Sequence, residues 1–330
     1  MFTMAGPLTL QAIEPYLAQV NDLFARELTS DLDHVQKMSH HVERFRGKML
    51  RPVLVFLSGL AAARRNDHPL GQTHITIATV VEMVHVATLV HDDVLDNAEI
   101  RRRGVTVNHL HGNEAAVLLG DLLISHAYHL CSSLESQIAS RAIGRTTNIV
   151  CEGELTQNFN RGNWELTEKT YFDIIYRKTA SLIETSCRLG AWASNADAAT
   201  VEALGNYGRD VGMAFQIVDD ILDIAGEQKT VGKTLGSDIE KGKLTLPMIH
   251  FLATAAPTHK QLLISLLESD ASDRIDNARQ LLIPSPSMRY ARSRAQQLVD
   301  QAISAISDLP ESEFQHILID MARFVTARES

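Results

Sequence analysis

Apolar residues recur three and four positions apart along most of this chain, the period that places them on one face of a helix. The pattern predicts helices over residues 8–28, 30–44, 53–63, 75–96, 113–133, 137–160, 167–194 and 199–224. From residue 246 onward amphipathic helix returns, with a polar break at residues 283–287. Nowhere does sustained period-two alternation flanked by hairpin turns argue for strands. The segment GEQKTVGKTLGSDIEKGKLTLP, residues 226–247, is rich in Gly, Lys and turn formers and reads as a loop. Its Gly-Lys pairs lack the spacing of a P-loop and follow a helix rather than a strand, so that reading fails. The expectation is an all-α protein of about ten or more helices. No linker-like tract divides it, so one large helical domain spanning residues 1–330 is expected.

The informative polar residues are those inside the most apolar helices. Asp92-Asp93-Val94-Leu95-Asp96 ends one such run and Asp219-Asp220-Ile221-Leu222-Asp223 ends another. On a helix the first and last aspartates of each motif lie one turn apart on the same face. Three carboxylates in apolar surroundings are costly without counter-charge. Hard divalent cations are the usual compensation, and Mg2+ completes its shell with water and substrate phosphate. Two such clusters point to a two-sided metal site around a phosphorylated substrate. His85, Thr88, Asp92 and Asp96 recur at steps of three and four, forming one polar stripe. A lone histidine on an apolar helix is usually a satisfied core residue, but this one lies two turns from an aspartate. Arg101, Arg102 and Arg103 follow, either as a solvated turn or as planar donors that hold a diphosphate bidentately. Lys48 and Arg51 precede Pro52, a residue suited to a first helical turn, where backbone N–H groups also favour anions. A solvated basic turn accounts for them equally well. His126 and His129 have the spacing of a metal pair but no third ligand, so they are assigned to packing.

Composition narrows the classes. With 330 residues, 45% of them hydrophobic, the chain can bury a large core, and its net charge of −9 argues against bulk nucleic-acid binding. Cys131, Cys151 and Cys187 show no paired spacing, which favours a reducing compartment. The N-terminal MFTMAGPLTL lacks a basic segment followed by an apolar core, so no secretory signal is expected. No run of about 18 uncharged apolar residues is expected to span a bilayer. These readings make the expected location cytoplasmic.

The chemistry follows from what is present and what is missing. No Ser-His-Asp or Cys-His constellation offers a nucleophile, and no carboxylate stands out as a general base. Metal ions on the aspartates, with Lys178, Lys233 and Lys243, would make a diphosphate a good leaving group by stabilising charge where it develops. A second basic set, Lys48, Arg51, His85 and Arg102, would hold a second anion. Two anion sites facing one apolar helical cavity imply metal-triggered ionisation followed by condensation of two diphosphates.

These motifs resemble those of the trans-isoprenyl diphosphate synthases, in the polyprenyl synthetase family. The resemblance runs from Gly47-Lys48-x-x-Arg51-Pro52, through His85-x-x-Thr88-Leu89-x-His91-Asp92-Asp93-x-x-Asp96, to Gly212-Met213-Ala214-Phe215-Gln216-x-x-Asp219-Asp220-x-x-Asp223. Gly232-Lys233-x-x-Gly236-x-Asp238 and Gly242-Lys243-x-Thr245-x-Pro247 complete it. It implies a helical bundle around a central apolar cavity, the isoprenoid synthase fold. It implies Mg2+, about three ions per active site, with Asp92, Asp96 and Asp219 as main ligands and Asp93, Asp220 and Asp223 supporting them. Arg101, Lys178, Thr179, Gln216, Lys233 and Lys243 would contact the allylic diphosphate. Lys48, Arg51, His85 and Arg102 would grip isopentenyl diphosphate, with Phe215 against its tail. The pyrophosphate product would remove the proton, in keeping with the missing base. Arg103 departs from the pattern, standing where many members have glycine; here the glycine is Gly104.

Chain length is implied by the same resemblance. Bulky residues four and five positions before the first aspartate block elongation in this family, and here those positions are Thr88 and Ala87. The implied product is long, about C30 or more, because an apolar tunnel lengthens where bulky side chains are absent, and suits a quinone side chain. Val84 and the segment 122–128 would supply the floor. A homodimer is also implied. The alternatives are a short-chain (geranylgeranyl or farnesyl) synthase or a product-tuning subunit of a heteromeric synthase, although such subunits typically lose aspartates that this chain keeps. A terpene cyclase or head-to-head synthase would carry a different second motif and need no second diphosphate site.

Overall fold

The computed structural model describes residues 7–43, 47–63, 70–101, 104–226 and 235–327. Helices come first in chain order: α1 (Pro7–Glu27), α2 (Asp33–Glu43), α3 (Leu50–Ala62) and α4 (Gln72–Leu95). A two-stranded antiparallel ribbon, β1 (Ile100–Arg101) with β2 (Gly104–Val105), pairs Ile100 with Val105 and Arg101 with Gly104. Next come α5 (Val107–His111), α6 (Asn113–Ser132), α7 (Gln137–Phe159), α8 (Glu168–Ile175), a π-helical turn (Tyr176–Ala180), α9 (Ser181–Ala193) and α10 (Ala198–Ala225). The described chain ends with α11 (Ser237–Glu240), α12 (Leu246–Thr254), α13 (Pro257–Glu268), α14 (Arg274–Leu282), α15 (Pro286–Ala305) and α16 (Glu313–Ala327). The all-α expectation holds, and the structure divides into two compact units. One is drawn from Met1–Asn148, Leu182–Gly208 and Ala305–Met321, the other from Ile149–Ser181, Arg209–Ser304 and Ala322–Ser330.

The first unit is built on α4, whose apolar residues cover nearly every face, so that it must be enclosed. Ile77, Ala78, Val80, Val81, Met83, Val84 and Ala87 are buried. It packs most extensively against α6, then α3 and α1. Two glycines set how closely α3 is approached, Gly190 by α9 and Gly59 by α4. A Cβ on Gly190 would stand 2.2 Å from the Val55 carbonyl oxygen, and one on Gly59 would stand 2.9 Å from His74 Nε2. Helices α4 and α6 are long and apolar enough, by length and composition, to cross a membrane. Each carries charge within that stretch, Glu82 in α4 and Asp121 in α6, so neither is an uncharged apolar run of the kind whose absence was expected. For α4 the burial within its own unit accounts for the composition.

The second unit gathers α8, the C-terminal half of α10 and α12 to α15. Leu246, Met248 and Phe251 of α12 lie in its core with Tyr171 and Ile174 of α8, Leu263 of α13 and Leu282 of α14. Polar pairs fix its rim. Tyr290 stacks on His250 (4.1 Å between ring centres) and its hydroxyl donates to Glu168 at 2.8 Å.

Candidate active site

The first aspartate cluster closes α4. Asp92 and Asp96 are half-buried one turn apart, and the Asp96 N–H donates to the Asp92 carbonyl (2.9 Å) as the helix ends. Asp93 is buried and accepts from Arg101 Nε at 2.7 Å. The loop that carries Arg101 is tied by its own backbone. Ala98 N–H donates to the Asp93 carbonyl (2.9 Å), and Thr106 Oγ1 donates to the Ala98 carbonyl (2.6 Å). Asn108 Nδ2 donates to both carbonyls, at 3.3 Å and 3.1 Å. Arg101 is thus held against the acidic helix end by a short ribbon that the sequence pattern did not announce. His85 is half-buried on α4, and Thr88 Oγ1 donates back to the His85 carbonyl at 2.8 Å. Val84 and Ala87 are fully buried beside them. Lys48 is exposed and Arg51 half-buried at the start of α3. Pro52 lies in the first turn as expected, and Met49 before it takes a left-handed conformation (φ 50°).

The second cluster lies on α10 and is wired more densely. Asp220 is buried, accepting from the Tyr171 hydroxyl at 2.6 Å on one oxygen and from Gln216 Nε2 at 2.9 Å on the other. Gln216 Oε1 in turn accepts from Thr179 Oγ1 at 2.8 Å. Asp223 accepts the backbone N–H groups of Ser237 (3.2 Å) and Asp238 (3.1 Å), fastening the following loop to α10. Asp219 and Phe215 are half-buried, and Lys243 is buried, its N–H bonded to the Asp238 carbonyl at 2.8 Å. Lys178 pairs with Glu154 and donates to Gln157 Oε1 at 3.0 Å.

Lys178 and Thr179 sit in the π-helical turn, the kind of local insertion that recurs at functional sites. Its extra residue leaves an i→i+5 bond from Ser181 N–H to the Tyr176 carbonyl, and Ser181 Oγ serves the Arg177 carbonyl at 2.7 Å. Gly153 of α7 lets the turn pack directly on it. A Cβ there would be 2.6 Å from Arg177 Cβ and 2.7 Å from Lys178 N.

The electrostatics of the second cluster are those of excess negative charge. Burial pushes the Asp220 carboxyl well above the usual carboxylate range, and Asp238 pushes the same way. The Tyr171 and Gln216 donors act against that rise, and Asp219 adds to it. Burial likewise drives the Tyr171 phenol well up, with Asp220 adding to it. All-oxygen donors short of counter-charge fit a hard divalent cation. Among the described residues, no three His, Cys, Asp or Glu side chains converge as a complete ion site. An ion there would take the rest of its shell from substrate oxygens and water.

Of the residues expected in the site, Arg102 and Lys233 lie outside the described residues. Lys48, Arg51, His85, Arg101 and the first aspartates belong to the first unit. Lys178, Thr179, Phe215, Gln216, Lys243 and the second aspartates belong to the other. Four contributors were not singled out from sequence: Tyr171, Asp238, Glu154 and Gln157. Asp238 stood inside a quoted motif, which was a usable signal. Tyr171 lies seven residues before Lys178, two helical turns, a weaker one.

Comparison with known proteins fixes the class. The polyprenyl synthetase family model matches residues 32–282, and the chain belongs to that family. It is 32% identical to octaprenyl diphosphate synthase of Escherichia coli over 320 residues, covering 95% of this chain and 96% of that one. It is also 32% identical to a short chain isoprenyl diphosphate synthase of Methanothermobacter thermautotrophicus, over 94% and 96% of the two chains. The structure superposes on a polyprenyl synthase from Caulobacter crescentus complexed with calcium and isoprenyl diphosphate. That match has a TM-score of 0.89 at 31% identity, covering 97% of each chain. The fold is therefore the all-α isoprenoid synthase fold, and the chain is an enzyme of the trans-prenyltransferase class.

Proposed function

We propose that this chain condenses isopentenyl diphosphate with an allylic diphosphate and extends an all-trans prenyl diphosphate to a long product, about C30 or more in an apolar tunnel, of the kind used as a quinone side chain. The whole of residues 1–330 acts as one polyprenyl synthetase domain in this reading. The observation that carries it is the presence of two acidic helix ends, one in each unit, each joined by hydrogen bonds to an element that bears a basic residue. One is Asp93 with Arg101, the other Asp220 through Gln216 and Thr179 to the turn that bears Lys178.

The six aspartates Asp92, Asp93, Asp96, Asp219, Asp220 and Asp223 would hold Mg2+. When bound, Mg2+ neutralises charge on the departing diphosphate. Lys178, released from Glu154 and Gln157, pairs with the allylic diphosphate together with Lys243, Lys233 and Arg101. Thr179 and Gln216 contact the same diphosphate, and their mutual hydrogen bond fixes the amide orientation of Gln216. Lys48, Arg51, His85 and Arg102 hold isopentenyl diphosphate, and Phe215 packs on its tail. Ala87 and Thr88 are small, and the Thr88 hydroxyl is turned back on its helix, so the wall they form is apolar. Val84 and the segment 122–128 lie deeper. No carboxylate is assigned as base, and the proton passes to the pyrophosphate product.

Apolar side chains exposed on α6, Leu118 (68% exposed) with Val117 and Tyr128, support a homodimer. The free cysteines Cys131, Cys151 and Cys187 support a reducing, cytoplasmic location. The test is incubation of the purified chain with labelled isopentenyl diphosphate, several allylic primers and Mg2+, with the products sized. Long prenyl chains are expected. Products stopping at C15 or C20 would replace the long-chain reading by the short-chain one, and no turnover by the chain alone would favour the subunit reading.

A further inference from the structure

The contact between Tyr171 and Asp220 has no part in the roles assigned above. Tyr171 is 3% exposed on α8, with its ring edge-on to Phe172 (5.6 Å, 73°). Its hydroxyl donates to Asp220 Oδ2 at 2.6 Å, in the short range of charge-assisted bonds. The helix that bears it runs straight into the π-helical turn, where Thr179 donates to Gln216. Gln216 and Asp220 are one turn apart on α10 and bonded to each other at 2.9 Å. The two segments are therefore joined by two rungs, Tyr171 to Asp220 and Thr179 to Gln216, closed by the Gln216–Asp220 bond. A rotation of the Asp220 carboxylate would break the Tyr171 bond, loosen Gln216, and shift the register of Thr179 and Lys178.

We propose that Tyr171 is a positioning residue of the second acidic cluster. It holds the Asp220 carboxylate in one orientation, and through Gln216 it locks the π-helical turn that presents Lys178 and Thr179. This rests on the reading of Asp219, Asp220 and Asp223 as a metal-diphosphate clamp. Outer partners of a carboxylate ligand typically contribute about 10–100-fold to metal affinity or activity. A purely packing role would contribute to stability alone.

Tyr207 supplies the internal control. It is also fully buried, and its hydroxyl donates at 2.6 Å to a backbone carbonyl, that of Leu318. The experiment uses the full chain and compares Tyr171→Phe with Tyr207→Phe. The readouts are steady-state kcat and KM for the allylic substrate, and Mn2+ affinity by electron paramagnetic resonance with inorganic pyrophosphate present. Tyr171→Phe is expected to lose about 10–100-fold in both kcat and Mn2+ affinity, with Tyr207→Phe unchanged in both. p-Aminophenylalanine at position 171 keeps a donor on the same ring, while p-methylphenylalanine fills the same space without one. The first should recover most of the loss and the second none, which decides the matter even where the Phe variant does not fold. Wild-type kcat and Mn2+ affinity in the donor-free protein would overturn the proposal, as would equal losses in the Tyr171 and Tyr207 variants. Asp219→Ala is run alongside. Wild-type turnover and Mn2+ affinity in that variant would overturn the clamp itself, whereas their loss there beside an unaffected Tyr171→Phe would overturn only the role of Tyr171.

Discussion

His74 shows how a single buried group makes stability depend on pH. Gly71 N–H donates to its Nδ1 (3.3 Å), so the ring proton sits on Nε2, facing the Gly190 carbonyl (3.2 Å) and Ser194 Oγ (3.0 Å). Burial lowers its pKa from 6.5 to about 4, against the opposing pull of the Gly190 carbonyl. The folded chain therefore binds this proton less readily than the unfolded chain does. The contribution is complete above pH 6.5 and is lost as pH falls from there towards about 4, at about 1.4 kcal/mol per pH unit and at most about 3 kcal/mol in all. Urea midpoints measured across that window should fall, and His74→Gln, which keeps an N–H donor, should flatten the fall. Ala87 is argued at the same scale. It is wholly buried on α4, so Ala87→Phe should shorten the prenyl product and cost about 1–3 kcal/mol of stability by overpacking. An unchanged product ladder from folded protein would remove Ala87 from the tunnel. The aspartates were legible because carboxylates inside apolar runs are costly wherever the chain goes, whereas Lys178 entered only as counter-charge to them and Gln216 only through the family resemblance. Tyr171 and Glu154 were not legible, since an ordinary Tyr or Glu on a helix acquires its meaning only from what faces it.

Helix boundaries followed the hydrophobic period closely: α1, α4, α6, α7 and α10 lie within a few residues of their expected spans. The short helices α5 and α11 escaped it because each spans little more than one turn, and two further elements escaped it for other physical reasons. The ribbon at Ile100–Arg101 and Gly104–Val105 has two residues per strand, too few for alternation to register. The π-helical turn is invisible because one inserted residue does not disturb the apolar spacing of 167–194, which read as continuous helix. That turn depends on Gly153 of α7. Gly153→Ala sets a methyl 2.7 Å from Lys178 N, a backbone atom that cannot swing away. The expected cost is about 1–3 kcal/mol of stability, and kcat should fall by up to about a hundredfold as Lys178 and Thr179 are displaced. Gly144 on the same helix is the comparison. Its Cβ would meet only Tyr128, at 3.8 Å, so Gly144→Ala should be neutral or slightly stabilising with normal kcat. Equal behaviour of the two variants in urea melts and initial rates would remove the turn from the catalytic account.

At the scale of the whole molecule, identity to relatives settles the chemistry but not the product. An octaprenyl and a short-chain synthase stand at the same 32%. If charge from both acidic helix ends bears on one diphosphate, as proposed, ligand binding has a thermodynamic signature. A ligand held by the native state alone stabilises by about 2.7 kcal/mol at a hundredfold excess over its Kd, which for a chain of this length raises Tm by roughly 4 °C. Mg2+ and a non-cleavable allylic diphosphate analogue added together should give a shift of that order, and either alone a much smaller one. If both helix ends act on the same diphosphate, Asp92→Ala and Asp219→Ala should each abolish the shift, and the double variant should be no worse than either. If the clusters bind independently, each single variant would keep part of the shift and the losses would add. Differential scanning calorimetry on the four proteins distinguishes the two, because non-additivity is the mark of groups that share one ligand.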